Sequence, residues 1–402
     1  MSTPSFAPSF PPATHRATHR AATRAGTSAS TRALLASVAS VASVASLCAA
    51  TAQAQSAPTS TVQIYGLIDV GVETLNQVGA NGDHLTRMPG NTASVPSRLG
   101  LRGSEDLGQG LKAGFTLESG LAMDTGGLNQ GSRLFGRQAF VSLSGAWGQF
   151  NLGRQHTMTF FSLLDADVIG PSAHGLASLD SYLPNARADN ALGYRGKWDG
   201  FSVGATYSLG RDTATAGNPG ATNCAGESAS DHRACREWSV LLKYDAADWG
   251  VAAAQDTLRG GPGAFANLGN SALSDTRTNL NGWVRLGGIK LGAGVLHRHN
   301  GGNAATPRSD IAYVGLSAPL TPELLLETQL AQLRYKESAN KATQGVVRLS
   351  YSLSKRTAVY ASLARLDNSG SLAVSVSNGA AGGTPAAGRA QTGTMFGVRH
   401  SF

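Results

Sequence analysis

Charged residues are scarce in this chain of 402 residues, since Asp, Glu, Lys and Arg together make up 14% of it. Ordinary soluble domains carry about 25%. Aromatic residues are also few, at 6%, which leaves little material for a large packed core. No stretch after residue 54 approaches the ~20 consecutive apolar residues that a membrane-spanning helix needs. These shortages argue against a soluble enzyme and exclude a helical membrane protein.

Glycine, by contrast, is abundant. The chain has 50 glycines beside only 15 prolines, and 41% of its residues are hydrophobic, so neither collagen nor a disordered linker fits the composition. No shift in composition divides the chain into domains. The hydrophobic residues of such a chain must alternate with polar ones rather than form blocks.

The amino-terminal segment has the features of an export signal. Four arginines and no acidic residue precede an apolar stretch at 33–50, and Ala52-Gln53-Ala54 follows it. We predict a signal peptide at 1–54, cleaved before Gln55, with a membrane anchor as the alternative. The mature chain is then 55–402. Because the removed segment holds four of the 33 basic residues and none of the 25 acidic ones, the net charge falls from +8 to +4, which leaves nucleic-acid binding without support.

Two cysteines remain after this cleavage, Cys224 and Cys235, in a polar segment. An exported protein meets oxidising conditions, so we expect a disulfide within a loop. These cysteines lack the paired spacing of a zinc site. Gly200 to Gly204 fits the G-x-S-x-G pattern but runs on into an alternating stretch instead of a helix. We therefore expect no catalysis, no metal and no cofactor.

Alternation with a period of two begins at Thr61. In the first such stretch the apolar face consists of Val62, Ile64, Ile68, Val70 and Val72, and the same pattern recurs near 111–118, 279–286 and 289–295. This pattern predicts β-strands with one apolar and one polar face. A soluble β-sandwich would show it too.

The lengths of the connections distinguish a soluble β-sandwich from a transmembrane β-barrel. Seven short turns, near 104–110, 144–148, 198–200, 245–249, 287–288, 319–323 and 352–357, alternate with eight long segments, near 78–94, 124–132, 155–190, 210–236, 256–276, 298–310, 336–342 and 367–391. Fifteen connections give sixteen strands, with all long loops at one end. This arrangement predicts an all-β, transmembrane antiparallel barrel of the outer-membrane type.

Aromatic residues at the strand ends support the barrel. Three tryptophans, Trp147, Trp198 and Trp249, border short turns, as the rings of an interfacial girdle do. The last alternating stretch, 392–402, ends on Phe402. The sequence thus favours an exported membrane barrel over a soluble β-protein, which stays a residual alternative.

Several segments together resemble the trimeric general porins of Gram-negative bacteria, particularly the beta-proteobacterial type. They are TVQIYGLID at 61–69, SRLGLRGSEDLGQGLKA at 97–113, GRQAFVSL at 136–143, NLGRQ at 151–155 and GVRHSF at 397–402. The resemblance covers essentially all of 61–402. It implies a homotrimer of sixteen-stranded barrels among outer-membrane lipids, exported through the periplasm, with Phe402 read by the barrel-assembly machinery.

The same resemblance implies a pore narrowed by the third long loop, folded inward. The segment 155–190 carries three candidate acidic residues for this constriction, Asp165, Asp167 and Asp180. The opposing basic wall is matched by Arg98, Arg137 and Arg187, with Arg102 as a neighbour of the same strand parity. Acidic loop and basic wall would create a transverse field, and such charges tune ion selectivity. Each Arg could instead pair locally, and each Asp could simply face solvent.

We therefore predict an outer-membrane porin for passive diffusion of small hydrophilic solutes and ions. A substrate-specific channel of the same build is the first alternative, although the expected file of aromatic residues along the pore wall is missing from the sequence. A barrel whose long loops act in adhesion is the second. The sign of the ion selectivity stays open, because Arg favours anions and Asp favours cations.

Overall fold

The computed structural model describes residues 60–215, 218 and 220–402. The predicted signal peptide, 1–54, lies outside the described residues. Within this part of the chain, no helix is long and apolar enough to cross a membrane.

Sixteen long strands form one closed antiparallel sheet, and the predicted strand number is confirmed. In chain order they are β1 Thr61–Val78, β2 Arg98–Gly108, β3 Leu111–Ala122, β4 Gln138–Gly145, β5 Gly148–His156, β6 Ala191–Trp198, β7 Phe201–Ser208, β8 Glu237–Asp245, β9 Trp249–Arg259, β10 Ser274–Leu286, β11 Ile289–Asn300, β12 Arg308–Pro319, β13 Leu324–Tyr335, β14 Lys341–Ser352, β15 Thr357–Ser369 and β16 Gln391–Ser401.

The barrel closes through β1, which pairs with β2 over its first half and with β16 over its second. The terminal residue extends this seam, because Phe402 and Gly66 exchange two backbone hydrogen bonds of 3.1 Å. The ring of Phe402 fills the space that a side chain at position 66 would need. Closure leaves no strand edge unpaired, as a barrel in lipid requires.

The connections alternate between short and long as predicted. Seven turns of two to four residues lie at one end of the barrel. The other end carries loop 1 (79–97), loop 2 (123–137), loop 3 (157–190), loop 4 (209–236), loop 5 (260–273), loop 6 (301–307), loop 7 (336–340) and loop 8 (370–390). Loop 7, with five residues, is the shortest of this set.

The loops hold the remaining secondary structure. Short strands lie in loops 1, 2 and 3, at Asp83–Arg87, Gly127–Leu128 and Arg187–Ala188. A helical turn spans Asn129–Ser132 in loop 2, and loop 3 contains helices Met158–Leu163 and Leu176–Leu179 and the 3-10 turn Leu183–Asn185. These elements are too short to form a core of their own, so they depend on packing against the barrel.

The outer face of the barrel is apolar and ends in aromatic rings. Large side chains such as Ile64, Leu280 and Val314 are exposed there, because alternate residues of each strand point outward. Beside the short turns, Phe150 packs between Trp147 and Tyr194 at ring distances of 5.3 and 4.9 Å. The expected aromatic girdle is present at this end.

Candidate pore constriction

Loop 3 lies inside the barrel, against the inward face of β8 to β15. Its contacts with this face include one on β8, where Ser239 Oγ accepts the backbone N–H of Met158 at 3.0 Å. They continue on β14, where Arg348 donates to the carbonyl of Ile169 at 3.1 Å, and on β15, where Ser362 Oγ lies 3.0 Å from His174 Nδ1. The loop therefore covers the inner wall along β8 to β15 and leaves β2 to β4 on the opposite side.

Glycines on the wall make this close packing feasible. Gly292 on β11 has no side chain where the backbone of Ala166 lies against it, and Gly315 on β12 leaves room for Val168. A Cβ atom at either position would clash with the loop. The wall thus contains a shallow seat for the segment 165–168.

The carboxylate of Asp180 is buried in a charged cluster on the wall. Arg277 on β10 donates to it from Nε at 2.7 Å and from Nη2 at 3.2 Å, and also binds Asp275 at 2.9 Å. Arg298 on β11 binds Asp275 in turn at 2.8 Å. Burial alone would raise the pKa of Asp180, but the two guanidinium groups outweigh burial and lower the pKa to about 2. Asp180 is therefore ionised, paired and unavailable to solutes.

The other two predicted aspartates of loop 3 also turn toward the wall. Asp165 forms an ion pair with Lys243 on β8 and lies 3.8 Å from Lys290 on β11. Asp167 is partly buried and accepts hydrogen bonds from Gln329 Nε2 at 2.7 Å and from the Gly170 backbone N–H at 3.1 Å. All three predicted acidic residues thus contact the half of the wall that loop 3 covers.

The predicted basic residues lie on the opposite half. Arg98 and Arg102 both point inward from β2, while Arg137 immediately precedes β4. Arg137 Nε binds Glu118 at 2.5 Å, and Arg98 Nε lies 3.9 Å from the same carboxyl group. Arg102 donates to Gln63 at 2.7 Å and stacks 5.1 Å from the Tyr65 ring. Two guanidinium groups, those of Arg98 and Arg137, therefore share a single carboxylate, Glu118, while Arg102 has no acidic partner in the described part of the chain.

Arg187, the fourth predicted basic residue, is placed differently. It sits in the returning arm of loop 3, in the short strand that pairs with Gln155 and His156. Its side chain is buried and donates to Asn185 Oδ1 at 3.4 Å. Arg187 lies behind the lumen surface and adds positive charge without contacting the lumen directly.

A narrow cavity of about 30 Å³ marks where the loops converge. Asn91 from loop 1, Asn129 from loop 2, Asn185 from loop 3 and Asn378 from loop 8 line it together with Arg137. Loop 8 reaches this point because the backbone N–H of Asn378 donates to the carbonyl of Ala173 at 3.0 Å. This cavity is therefore lined mainly by neutral amides, with Arg137 as the one charged residue in its lining.

Comparisons with known proteins agree with this geometry. The sequence profile described as "Gram-negative porin" matches residues 37–371. This chain belongs to the Gram-negative porin family. It is 31% identical over 365 residues to outer membrane porin protein 32 of Delftia acidovorans, covering 87% of this chain and 97% of that protein. A porin of Bordetella pertussis is 31% identical over 351 residues, covering 77% of this chain and 89% of that one.

A solved structure gives the same result. The anion-selective porin from Comamonas acidovorans matches with a TM-score of 0.67 and 26% identity, covering 85% of this chain and all of that one. The chain is thus a multi-pass outer-membrane porin that forms a passive diffusion channel, and the predicted fold, function and localisation are confirmed. The relatives are channels rather than enzymes.

Several functional residues of the porin escaped the sequence reasoning. Lys243, Arg277 and Lys290 neutralise loop 3, and Glu118 organises the basic wall. Each lies on the polar face of an alternating strand, so strand parity already placed it inside the barrel. What parity does not supply is the partner that each charge meets across the lumen.

Loop 4 of the porin contains the disulfide Cys224–Cys235. It joins residues 11 apart in sequence and so cross-links a short segment of loop 4. In the described parts of the chain no group of His, Cys, Asp or Glu has the arrangement of a metal site. The G-x-S-x-G segment lies at a turn and in β7, with no helix after it.

The buried position of Asp167 predicts a pH dependence of loop docking. Burial raises the pKa of Asp167 to about 6 from 3.8, against the hydrogen bonds from Gln329 and Gly170. Because the pKa of Asp167 is raised in the docked loop, the ionised carboxylate destabilises docking. This free-energy cost is absent below pH 3.8 and complete above pH 6. A shift of about two units corresponds to about 3 kcal/mol.

We expect single-channel currents to show fewer closing events at pH 5 than at pH 7.5. The variant Asp167→Asn keeps an acceptor oxygen for both donors, and it should show equally few closing events at both pH values. If Asp167→Asn keeps the full pH dependence of the wild type, Asp167 is not the titrating group.

Proposed function

We propose that this porin conducts anions in preference to cations. The observation that carries this proposal is the separation of charge around the lumen. Asp165 and Asp180 of loop 3 are paired with basic residues of the covered wall, and Asp167 is hydrogen-bonded to Gln329 on the same wall. Arg98 and Arg102 are partly exposed on the uncovered wall, Arg137 is buried beside them, and Glu118 is the carboxylate that pairs with two of the three. Fixed charge of one sign beside a narrow aqueous aperture raises the local concentration of the opposite ion.

The similarity to the anion-selective porin from Comamonas acidovorans supports the same assignment. We further propose that the porin is a homotrimer, as the resemblance to trimeric general porins implies. Phe402 at the barrel seam would be the residue recognised by the barrel-assembly machinery. Small hydrophilic anions are the proposed solutes.

Charge variants on the uncovered wall test the proposal. Arg98→Gln removes a partly exposed cation of the uncovered wall, and we expect its reversal potential in a KCl gradient to move toward cation preference. Glu118→Gln removes the shared carboxylate, and we expect the opposite movement. Lys336→Gln is the control, since Lys336 lies in loop 7, away from β2 and β3, and pairs with Asp310. Equal reversal potentials in all three variants would contradict the proposal.

A further inference from the structure

The seven short turns of the barrel, all within the described part of the chain, differ in charge. Three of them hold a single acidic residue, namely Asp199, Asp248 and Glu323. Three others hold no charged residue, at 109–110, 146–147 and 287–288. The seventh turn, 353–356 between β14 and β15, contains Lys355 and Arg356 and no acid. We call it the basic turn, because positive charge is confined to it among the seven.

The two cations of the basic turn are exposed and without a protein partner. Neither the Lys355 nor the Arg356 side chain forms an ion pair or a hydrogen bond within the described part of the chain. The carboxylate of Glu323, in the neighbouring turn, accepts a hydrogen bond from Thr321 Oγ1 at 3.1 Å. The backbone N–H of Ser401 donates to the carbonyl of Arg356 at 2.8 Å and ties the turn to the closing strand. The turn therefore presents two free positive charges from a fixed position.

An apolar groove of about 360 Å³ lies on the outer face of the barrel beside the basic turn. Leu349, Tyr351 and Phe396 border it, and all three side chains are exposed. Ala361 pairs in the sheet with Leu349 on one side and with Phe396 on the other. Because the side chain of Ala361 is small, a depression forms between its large neighbours.

The groove covers the depth of one leaflet of a bilayer. Val359 and Ala361 follow Arg356 by three and five residues, which at the rise of a strand places them about 10 and 17 Å from it. The hydrocarbon core of a bilayer is about 30 Å thick, so one leaflet measures about 15 Å. The short turns of an outer-membrane barrel face the periplasm. The groove thus lies in the periplasmic leaflet, with the two cations at the level of its headgroups.

We propose that the basic turn and this groove form a binding site for an anionic phospholipid of the periplasmic leaflet. The headgroup contacts Lys355 and Arg356, and one acyl chain lies in the groove over Ala361. Lipid tails are as apolar as the groove, so the groove contributes van der Waals packing rather than a transfer free energy. The preference among phospholipids then comes from charge, which is worth about fivefold in affinity for each Lys or Arg.

Native mass spectrometry of the purified porin tests the site. The protein in detergent receives equal amounts of phosphatidylglycerol, which is anionic, and phosphatidylethanolamine, which is zwitterionic, with the same acyl chains. The ratio of the two lipids in the retained complexes is measured. We expect phosphatidylglycerol to exceed phosphatidylethanolamine by about twentyfold in the wild type. In the double variant Lys355→Gln/Arg356→Gln we expect a ratio near one.

Two further variants separate the charges from the groove. Lys112→Gln/Lys197→Gln removes two exposed cations that lie within two residues of other short turns, and it should keep the wild-type ratio. Ala361→Phe fills the groove without changing a charge, and it should retain less of both lipids. The outer face already carries large apolar side chains such as Phe396, so the barrel accommodates this substitution. Single-channel conductance in a planar bilayer checks that each variant is folded.

Each outcome bears on the site and leaves the anion preference untouched. Equal retention of the two lipids by the wild type refutes the site, as does a full preference for phosphatidylglycerol in Lys355→Gln/Arg356→Gln. The same loss of preference in Lys112→Gln/Lys197→Gln would show a general effect of charge and would also refute it. Unchanged lipid retention in Ala361→Phe would remove the groove from the site. None of these results depends on the sign of the ion selectivity.

Discussion

Replacement of Arg277 by alanine should release loop 3 from the wall and reduce the anion preference of the channel. Arg277 binds Asp180 of the loop and Asp275 of its own strand, and its guanidinium stacks 4.3 Å from the ring of Tyr182. Without it, Asp180 is a buried carboxylate that has lost its direct ion pair, and only the more distant Arg298 guanidinium stays near it. Breaking a buried ion pair from one side costs about 3–5 kcal/mol, so we expect the loop to leave its seat.

Two readouts should change together in Arg277→Ala. Single-channel currents should become noisy, because a loop that is no longer anchored blocks the lumen intermittently. The reversal potential in a KCl gradient should move toward cation preference, because Asp180 then faces channel water. The current noise and the reversal potential of Arg277→Lys should lie between those of the wild type and those of Arg277→Ala. An ammonium group keeps the charge but cannot reproduce the bidentate contact with Asp180.

Arg365→Ala is the matched control for this substitution. Arg365 also pairs with an aspartate, Asp367, at 2.9 Å, but both side chains are more than half exposed. Such surface pairs contribute about 0–1 kcal/mol, so we expect wild-type currents. Identical behaviour of Arg277→Ala and Arg365→Ala would show that the cluster around Asp180 does not hold the loop.

The second large effect is expected for Gly292→Val. The added side chain would collide with the backbone of Ala166, and a backbone atom cannot move aside as a flexible side chain can. Overpacking of this kind costs about 1–3 kcal/mol. The segment 165–168 should be pushed toward the axis of the barrel, and single-channel conductance should fall.

Gly345→Val provides the control. Gly345 lies on β14, and a Cβ atom there would meet no atom within 4 Å. It introduces the same change of residue into a strand without touching loop 3. A normal conductance for Gly292→Val, or an equal loss in Gly345→Val, would rule out the seat for loop 3 at Gly292.

The barrel was predictable from the sequence because its signals are local. Alternation along β1 and β10 assigns each residue to a face, and the rhythm of short and long connections gives the strand number. The resemblance then assigned the inward fold of the third loop, which the structure contains. Phe402 as the last residue of the closing strand belongs to the same local pattern.

The charge pairing at the constriction was not predictable in the same way. The contact between Asp180 and Arg277 joins residues 97 apart in sequence, and that between Asp165 and Lys243 joins residues 78 apart. Such contacts depend on which strands loop 3 crosses, and strand parity carries no information about its path. The sequence therefore supplied the charged residues but left the sign of the selectivity open.

The zero-current potential of the wild-type porin tests the central claim most directly. Purified protein in a planar bilayer separates two KCl solutions of different concentration at pH 7.5, and the potential at which the current vanishes is measured. A wall of arginines opposite a loop with neutralised aspartates predicts the sign set by chloride diffusion. A potential with the sign set by potassium diffusion would mean that the carboxylates of loop 3 control the pore, and would contradict the account.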